Sequence, residues 1–98
     1  MLKLKSYESF LVFSSEIDIK DLNLLSFYYK EKLKRWGGRR IKSKLYFLNS
    51  KYISILGLKE KLLFCLKITF DLLPSNILFF KKLLQINSKA KKFLILLK

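Results

Sequence analysis

The chain has 98 residues, 51% of them hydrophobic, with 21 lysines and arginines against 7 acids and a net charge of +14. So high an apolar share excludes a disordered polyelectrolyte, and a chain of this length buries about 60–65% of its unfolded surface, enough for one two-layer core and no roomy pocket. With no histidine and a single cysteine, an internal disulfide, a zinc site and imidazole acid–base chemistry all lack their residues, and the excess of cations calls for an anionic partner.

Met1 to Tyr7 alternates, with Leu2, Leu4 and Ser6 on one side and Lys3, Lys5 and Tyr7 on the other. Period two with one apolar face predicts a half-buried strand. A helix is expected from about Asp18 to about Arg35. Ser14, Ser15 and Asp18 can cap its start, and Glu16, Asp18 and Asp21 place negative charge where the helix dipole favours it. Leu22, Leu25, Tyr29, Leu33 and Trp36 recur at helical steps, lysines crowd the C-terminal end, and Gly37 is a good stop. Ile41 to Ser50 reads as a second strand and KYISILGLK, residues 51–59, as a turn. LLFCLKITF, residues 62–70, reads as a central third strand with Lys67 pointing out and Cys65 packed as a small core residue. Pro74-Ser75-Asn76 opens a second helix through Leu78, Phe79, Lys82, Leu83 and Ile86. Asn87 to Lys92 is a basic turn, and Phe93 to Leu97 a last strand.

The order β-α-β-β-α-β predicts one α+β domain over residues 1–98. Its fold class is ferredoxin-like: a four-stranded antiparallel sheet, two helices on one face, and an extended β2–β3 hairpin over about residues 41–70. One face of the sheet stays free of helices. The longest stretch without charge, LLPSNILFF at residues 72–80, is too short for a membrane span, and the N-terminal strand resembles neither a signal nor a transit peptide.

KRWGGRRIKSK, residues 34–44, carries six cations, no acid and every arginine of the chain: Arg35, Arg39 and Arg40. Guanidinium forks grip phosphates with paired hydrogen bonds, and glycines let a backbone turn or approach closely. The stretch is expected to dock on a folded polyanion. The plain alternative is a helix C-terminus running into a solvated basic loop. Trp36 is expected at the core edge. The segment KYISILGLKEK has an apolar centre of Ile53, Ile55, Leu56 and Leu58. Three destinations stand open for it: another protein, its own sheet, or a membrane.

Several stretches resemble the small-subunit ribosomal protein ten family. LKLKSYESFLV matches its opening strand through Leu2, Leu4, Lys5, Ser6, Tyr7 and Glu8. KSKLYFLNSKYI, residues 42–53, matches its second strand through Lys42, Lys44, Phe47, Leu48, Ser50 and Ile53. LKITFDLLPSN, residues 66–76, matches its third strand with Pro74 and Ser75 starting the helix, and LLQIN, residues 83–87, the end of that helix. The resemblance implies a non-catalytic constituent of the ribosomal head. It would bind small-subunit rRNA and, through the hairpin tip, neighbouring ribosomal proteins three, nine and fourteen. It implies no cofactor, no metal, no small-molecule substrate and no membrane contact.

The rRNA-binding residues expected on this basis are Lys5, Lys34, Arg35, Arg39, Arg40, Lys42, Lys44, Lys51, Tyr52, Lys59, Lys61 and Lys67. The protein contacts expected are Ile53, Ile55, Leu56 and Leu58. Phosphate neutralisation by such cations fixes position without reading sequence. Leu, Lys, Phe, Ile, Ser, Tyr and Asn abound while Ala, Val and Pro occur once each. That bias suggests an AT-rich gene and a ribosome in the mitochondrial matrix, with a plastid or an AT-rich cytoplasm as other settings. The alternative class is a basic amphipathic peripheral membrane protein, which would carry one long helix divided cleanly into basic and apolar faces.

Overall fold

A computed structural model of the chain describes residues 3–14, 16–48, 63–87 and 89–98. The elements run β1 (Lys5–Ser14), α1 (Ile19–Arg35), β2 (Arg39–Leu48), β3 (Leu63–Leu72), a 3-10 turn (Pro74–Asn76), α2 (Ile77–Gln85) and β4 (Ala90–Leu97). The strands form one antiparallel sheet in the order β2-β3-β1-β4. Both helices pack against one face, so the expected ferredoxin-like architecture is the one that forms. Among the described residues no helix is long and apolar enough to cross a membrane.

The first strand departs from its expected bounds and faces. It is a central strand, between β3 and β4, and the run Phe10-Leu11-Val12-Phe13 extends it to Ser14, well past Tyr7. Tyr7, Ser9, Leu11 and Phe13 are buried on the helix-covered side, whereas Leu4, expected on the buried side, is exposed. Strand register flips every side chain at once, and the larger apolar set at Tyr7, Leu11 and Phe13 decides it. β4 likewise starts earlier than expected, at Ala90: Lys92 pairs opposite Val12, Lys91 falls at the register shift, and both stay exposed.

The core joins these residues to Leu66, Ile68 and Phe70 of β3, Leu22, Tyr29 and Leu33 of α1, and Phe80 and Leu84 of α2. Phe80 meets Phe70 and Tyr29 edge-on, with ring centroids 5.0 and 6.1 Å apart. Each fully buried ring of this kind contributes about 1.5–3 kcal/mol of transfer free energy. The polar groups in the core are satisfied. Ser9 Oγ donates to the Ile68 carbonyl at 3.2 Å, and Asn87 Nδ2 donates to the Tyr29 hydroxyl at 2.8 Å, tying α1 to the turn after α2.

α1 has the ends its sequence predicts. The Asp18 carboxylate accepts from the Lys20 amide at 2.9 Å. At the other end Gly37 takes φ +81° and its amide donates to the Lys34 carbonyl at 3.0 Å, while the Gly38 amide donates to the Leu33 carbonyl at 2.8 Å. This pair of bonds is a Schellman cap, which favours glycine at its left-handed position. A Cβ on Gly38 would sit 2.7 Å from the Leu33 carbonyl oxygen. The Gly-Gly pair therefore ends a helix and turns the chain into β2. Trp36 packs at the core edge, its ring 5.9 Å from Phe79.

Candidate nucleic-acid interface

Strand register decides which side chains share the helix-free face. Across the sheet from β4 to β2, one row holds Leu96, Glu8, Thr69 and Lys42, the next Leu94, Phe10, Lys67 and Lys44, and the next Lys92, Val12, Cys65 and Tyr46. The face is thus graded, with leucines towards β4 and cations towards β2. Lys42 and Lys44 are exposed and Lys67 is half-buried. Alternate residues on a strand lie about 6.6–6.8 Å apart on one side and cross-strand partners about 5 Å apart, so the three lysines spring from neighbouring positions of one face.

Lys44 and Lys67 stand directly opposite each other on neighbouring strands. Like charges in that arrangement repel. The protein offsets this in part. Lys67 Nζ lies 3.7 Å from Glu8 Oε1 and 5.9 Å above the Phe10 ring, while Lys44 Nζ lies 5.1 Å above the Tyr46 ring. Glu8 is also shared with Lys98 Nζ, again at 3.7 Å. Glu8 is thus one carboxylate set against several cations, and Lys42 and Lys44 keep their charge open to solvent. A shallow cleft of about 230 Å³ lies among Lys42, Ser43, Lys44, Tyr46, Lys67 and Thr69. Its hydroxyl and ammonium donors suit a phosphate group.

At the end of this face Asp71 forms a polar clamp. Its carboxylate accepts from Ser6 Oγ at 2.7 Å and from Arg40 Nε. The Ser6 hydrogen bond, followed by that of Arg40, holds the Asp71 carboxyl below its ordinary value of 3.8. Arg40 reaches Asp71 from a bulge: its φ is +50° and the β2–β3 register shifts between Arg39 and Lys42. Cys65 is buried against Val12 and Leu63, and burial pushes its thiol up to about 11, which suits its reading as a packed residue.

The stretch KRWGGRRIKSK, expected to dock on a polyanion, is divided among several structural settings. Lys34 pairs with Glu31 at 3.5 Å on α1, Arg35 ends that helix exposed, the glycines cap it, and Arg40 is tied to Asp71. Arg39 is exposed opposite Asp71. Lys42 and Lys44 from this stretch flank Lys67 on the helix-free face, with Arg39 and Arg40 at its Asp71 end. Lys5 is exposed but stands opposite Leu72, in the register of the helix-covered side, and so points away from that group. Lys51, Tyr52, Lys59 and Lys61, and the apolar set Ile53, Ile55, Leu56 and Leu58, lie outside the described residues. Sequence reasoning missed Glu8, Thr69 and Lys98 as members of the face. The alternation Lys92, Leu94, Leu96, Lys98 was the available signal for the last of these, but it needed the pairing of β4 with β1.

Neither a family model nor a curated protein matches the sequence. Among solved structures, the chain is similar in fold to 30S ribosomal protein S6 from Thermotoga maritima. The TM-score is 0.76 at 15% identity, covering 98% of this chain and 89% of that one. A chain from the Thermotoga maritima complex of the chemotaxis kinase CheA P2 domain with response regulator CheY matches at a TM-score of 0.51 and 14% identity, over 97% and 99% of the two chains. The first likeness overturns the expected kinship with ribosomal protein ten, and the assignment to the ribosomal head and to proteins three, nine and fourteen falls with it. The matching stretches lay mostly on strands, where alternating apolar and basic residues are common to any sheet of this kind. The opening motif also required a strand ending near Tyr7, whereas β1 continues to Ser14. What these likenesses establish for this chain is the fold: a ferredoxin-like sandwich of the kind seen in a bacterial small-subunit ribosomal protein.

Proposed function

We propose that this chain is a structural constituent of the small ribosomal subunit and binds rRNA through the β2–β3 half of its helix-free face. Lys42, Lys44 and Lys67 are the phosphate-contacting residues, with Thr69 as a neutral donor beside them and Arg39 at the rim. The role is positional and non-catalytic. Each ammonium neutralises backbone phosphate and releases condensed counterions without reading base sequence.

The observation that carries this reading is the opposed pair Lys44–Lys67, with Lys42 beside it, lining one shallow cleft. A cluster that repels itself in the free protein is relieved by a polyanion. The net charge of +14 acts in the same direction at long range. The likeness in fold to protein S6 supports a ribosomal setting; a chain of a chemotaxis signalling complex shares the architecture, so the cation cluster has to bear the weight. The compositional bias towards AT-rich codons supports an organellar ribosome, and subcellular fractionation of the tagged protein tests that location.

Sedimentation tests the main claim. The chain should co-migrate with the small subunit through sucrose at moderate salt and should not float with anionic liposomes. Lys42→Glu together with Lys44→Glu should sharply lower incorporation while leaving the circular dichroism of the free domain unchanged. Normal incorporation of that double variant would refute the assignment of the face.

A further inference from the structure

A second surface has the opposite chemistry. β4 forms one edge of the sheet, and among the described residues no strand pairs with its outer side. The Lys98 amide donates to the Ser6 carbonyl at 2.8 Å, which sets the backbone alternation. Lys98, Leu96 and Leu94 direct their amides and carbonyls towards β1. Phe93, Ile95 and Leu97 direct theirs outward. From Phe93 to Leu97 the strand reads FLILL, with no proline and no charge to guard it. A flat apolar edge with an outward row of donors and acceptors is a template for another strand.

α2 lies beside this edge. A groove of about 500 Å³ runs between them, with Ile77, Leu78 and Lys81 on the helix side and Phe93, Ile95 and Leu97 on the strand. Leu78 is 61% exposed and Leu97 64%. On the other face of β4, Leu94 is 51% exposed.

We propose that this edge receives an extended segment of another protein as a fifth strand, apolar at the alternate positions that face α2 and carrying carboxylates. The outward backbone row calls for an extended chain, since only a strand satisfies alternate donors and acceptors along its length. The leucines offer nothing to a phosphate. Lys81 on the groove wall and Lys98 at the strand end favour acidic side chains, and the nearby Glu8 already serves Lys67 as well as Lys98. A second copy of the chain is disfavoured, because each copy brings a charge of +14 to the contact. The inference stands apart from the nucleic-acid reading, which concerns the opposite end of the sheet.

Amide hydrogen exchange followed by NMR tests it on the intact protein. The probe is a synthetic peptide of alternating Val and Glu, matching the eight residues of β4; the control alternates Val and Lys. The Val–Glu peptide should slow exchange at Phe93, Ile95 and Leu97 by about tenfold or more. It should leave Leu94 and Leu96, already bonded to β1, unchanged, and the control should protect none of them. Ile95→Pro removes one outward donor without touching the ladder to β1. Leu78→Asp changes only the exposed groove wall, sets a carboxylate against those of the peptide and guards against a folding defect in the proline variant. Either substitution should abolish the protection. Three results would overturn the proposal: no protection by the Val–Glu peptide, equal protection by both peptides, or peptide-free protection that grows with protein concentration and so identifies a second copy as the occupant.

Discussion

The two faces of the sheet are made by the same strands and differ in almost everything else. On the helix-covered side, Leu11, Phe13, Ile68 and Phe70 pack with Tyr29 and Phe80 at full burial. On the other, Lys42, Lys44, Lys67, Glu8 and Thr69 lie in register rows with two rings beneath two of the lysines. Because side chains alternate along a strand, Tyr7, Leu11 and Phe13 of β1 pack under the helices while Glu8 and Phe10 lie on the other face, where Val12 adds a small second core with Leu63 and Cys65. Substitutions at the exposed lysines of that face should therefore leave stability nearly untouched.

The sharpest way to break that contrast is Phe80→Ala. Phe80 is fully buried between Phe70 and Tyr29, and its removal should cost about 3–5 kcal/mol in guanidinium unfolding. Asp71→Asn acts at the border of the helix-free face. It keeps one acceptor oxygen, replaces the other with a donor and removes the charge paired with Arg40, and should cost about 1–2 kcal/mol at neutral pH. The pH dependence has a definite sign. A carboxyl whose folded value lies below 3.8 adds stability above that pH and loses it as pH falls through the folded value. Acid unfolding curves of the Asn variant should accordingly be flatter than those of the parent.

Smaller effects sharpen the comparison. Gly37→Ala places a Cβ at φ +81° and should cost about 1–2 kcal/mol, seen as a lower thermal midpoint with the same sheet signature in circular dichroism. Lys42→Ala with Lys44→Ala should change stability by no more than about 0.5 kcal/mol. The same pair should flatten the salt dependence of binding to single-stranded RNA by about 0.7 logarithmic units for each phosphate that is no longer neutralised. A large loss of stability in that double variant would mean the lysines belong to the fold after all.

Much of the architecture was legible because its signals are local. Asp18 and Gly37 mark the ends of α1, the helical spacing from Leu22 to Leu33 marks its buried stripe, and Pro74 starts the turn into α2. The first strand was not legible, since its buried face is decided by partners in β3 and β4 far along the chain. The cation cluster was half legible. Lys42, Lys44 and Lys67 could be named as basic residues on strands, but their convergence depends on the β2–β3 register. Arg40 could be named as a basic residue, but nothing nearby in sequence reveals its pairing with Asp71. The strand motifs misled about kinship for the same reason: they report alternation, which many sandwiches share.

The placement of β1 carries a kinetic consequence. It is made first of the four strands, yet its two partners are the third and the last. During synthesis the run Phe10 to Phe13 emerges into solvent without a neighbour until Leu63–Leu72 has left the ribosome, and it gains its second partner later still. Such distant pairing slows folding and leaves a greasy β-forming stretch open to wrong contacts in the interval. A nascent chain stalled before β3 should therefore need a holding chaperone, and one stalled after β3 should need it much less.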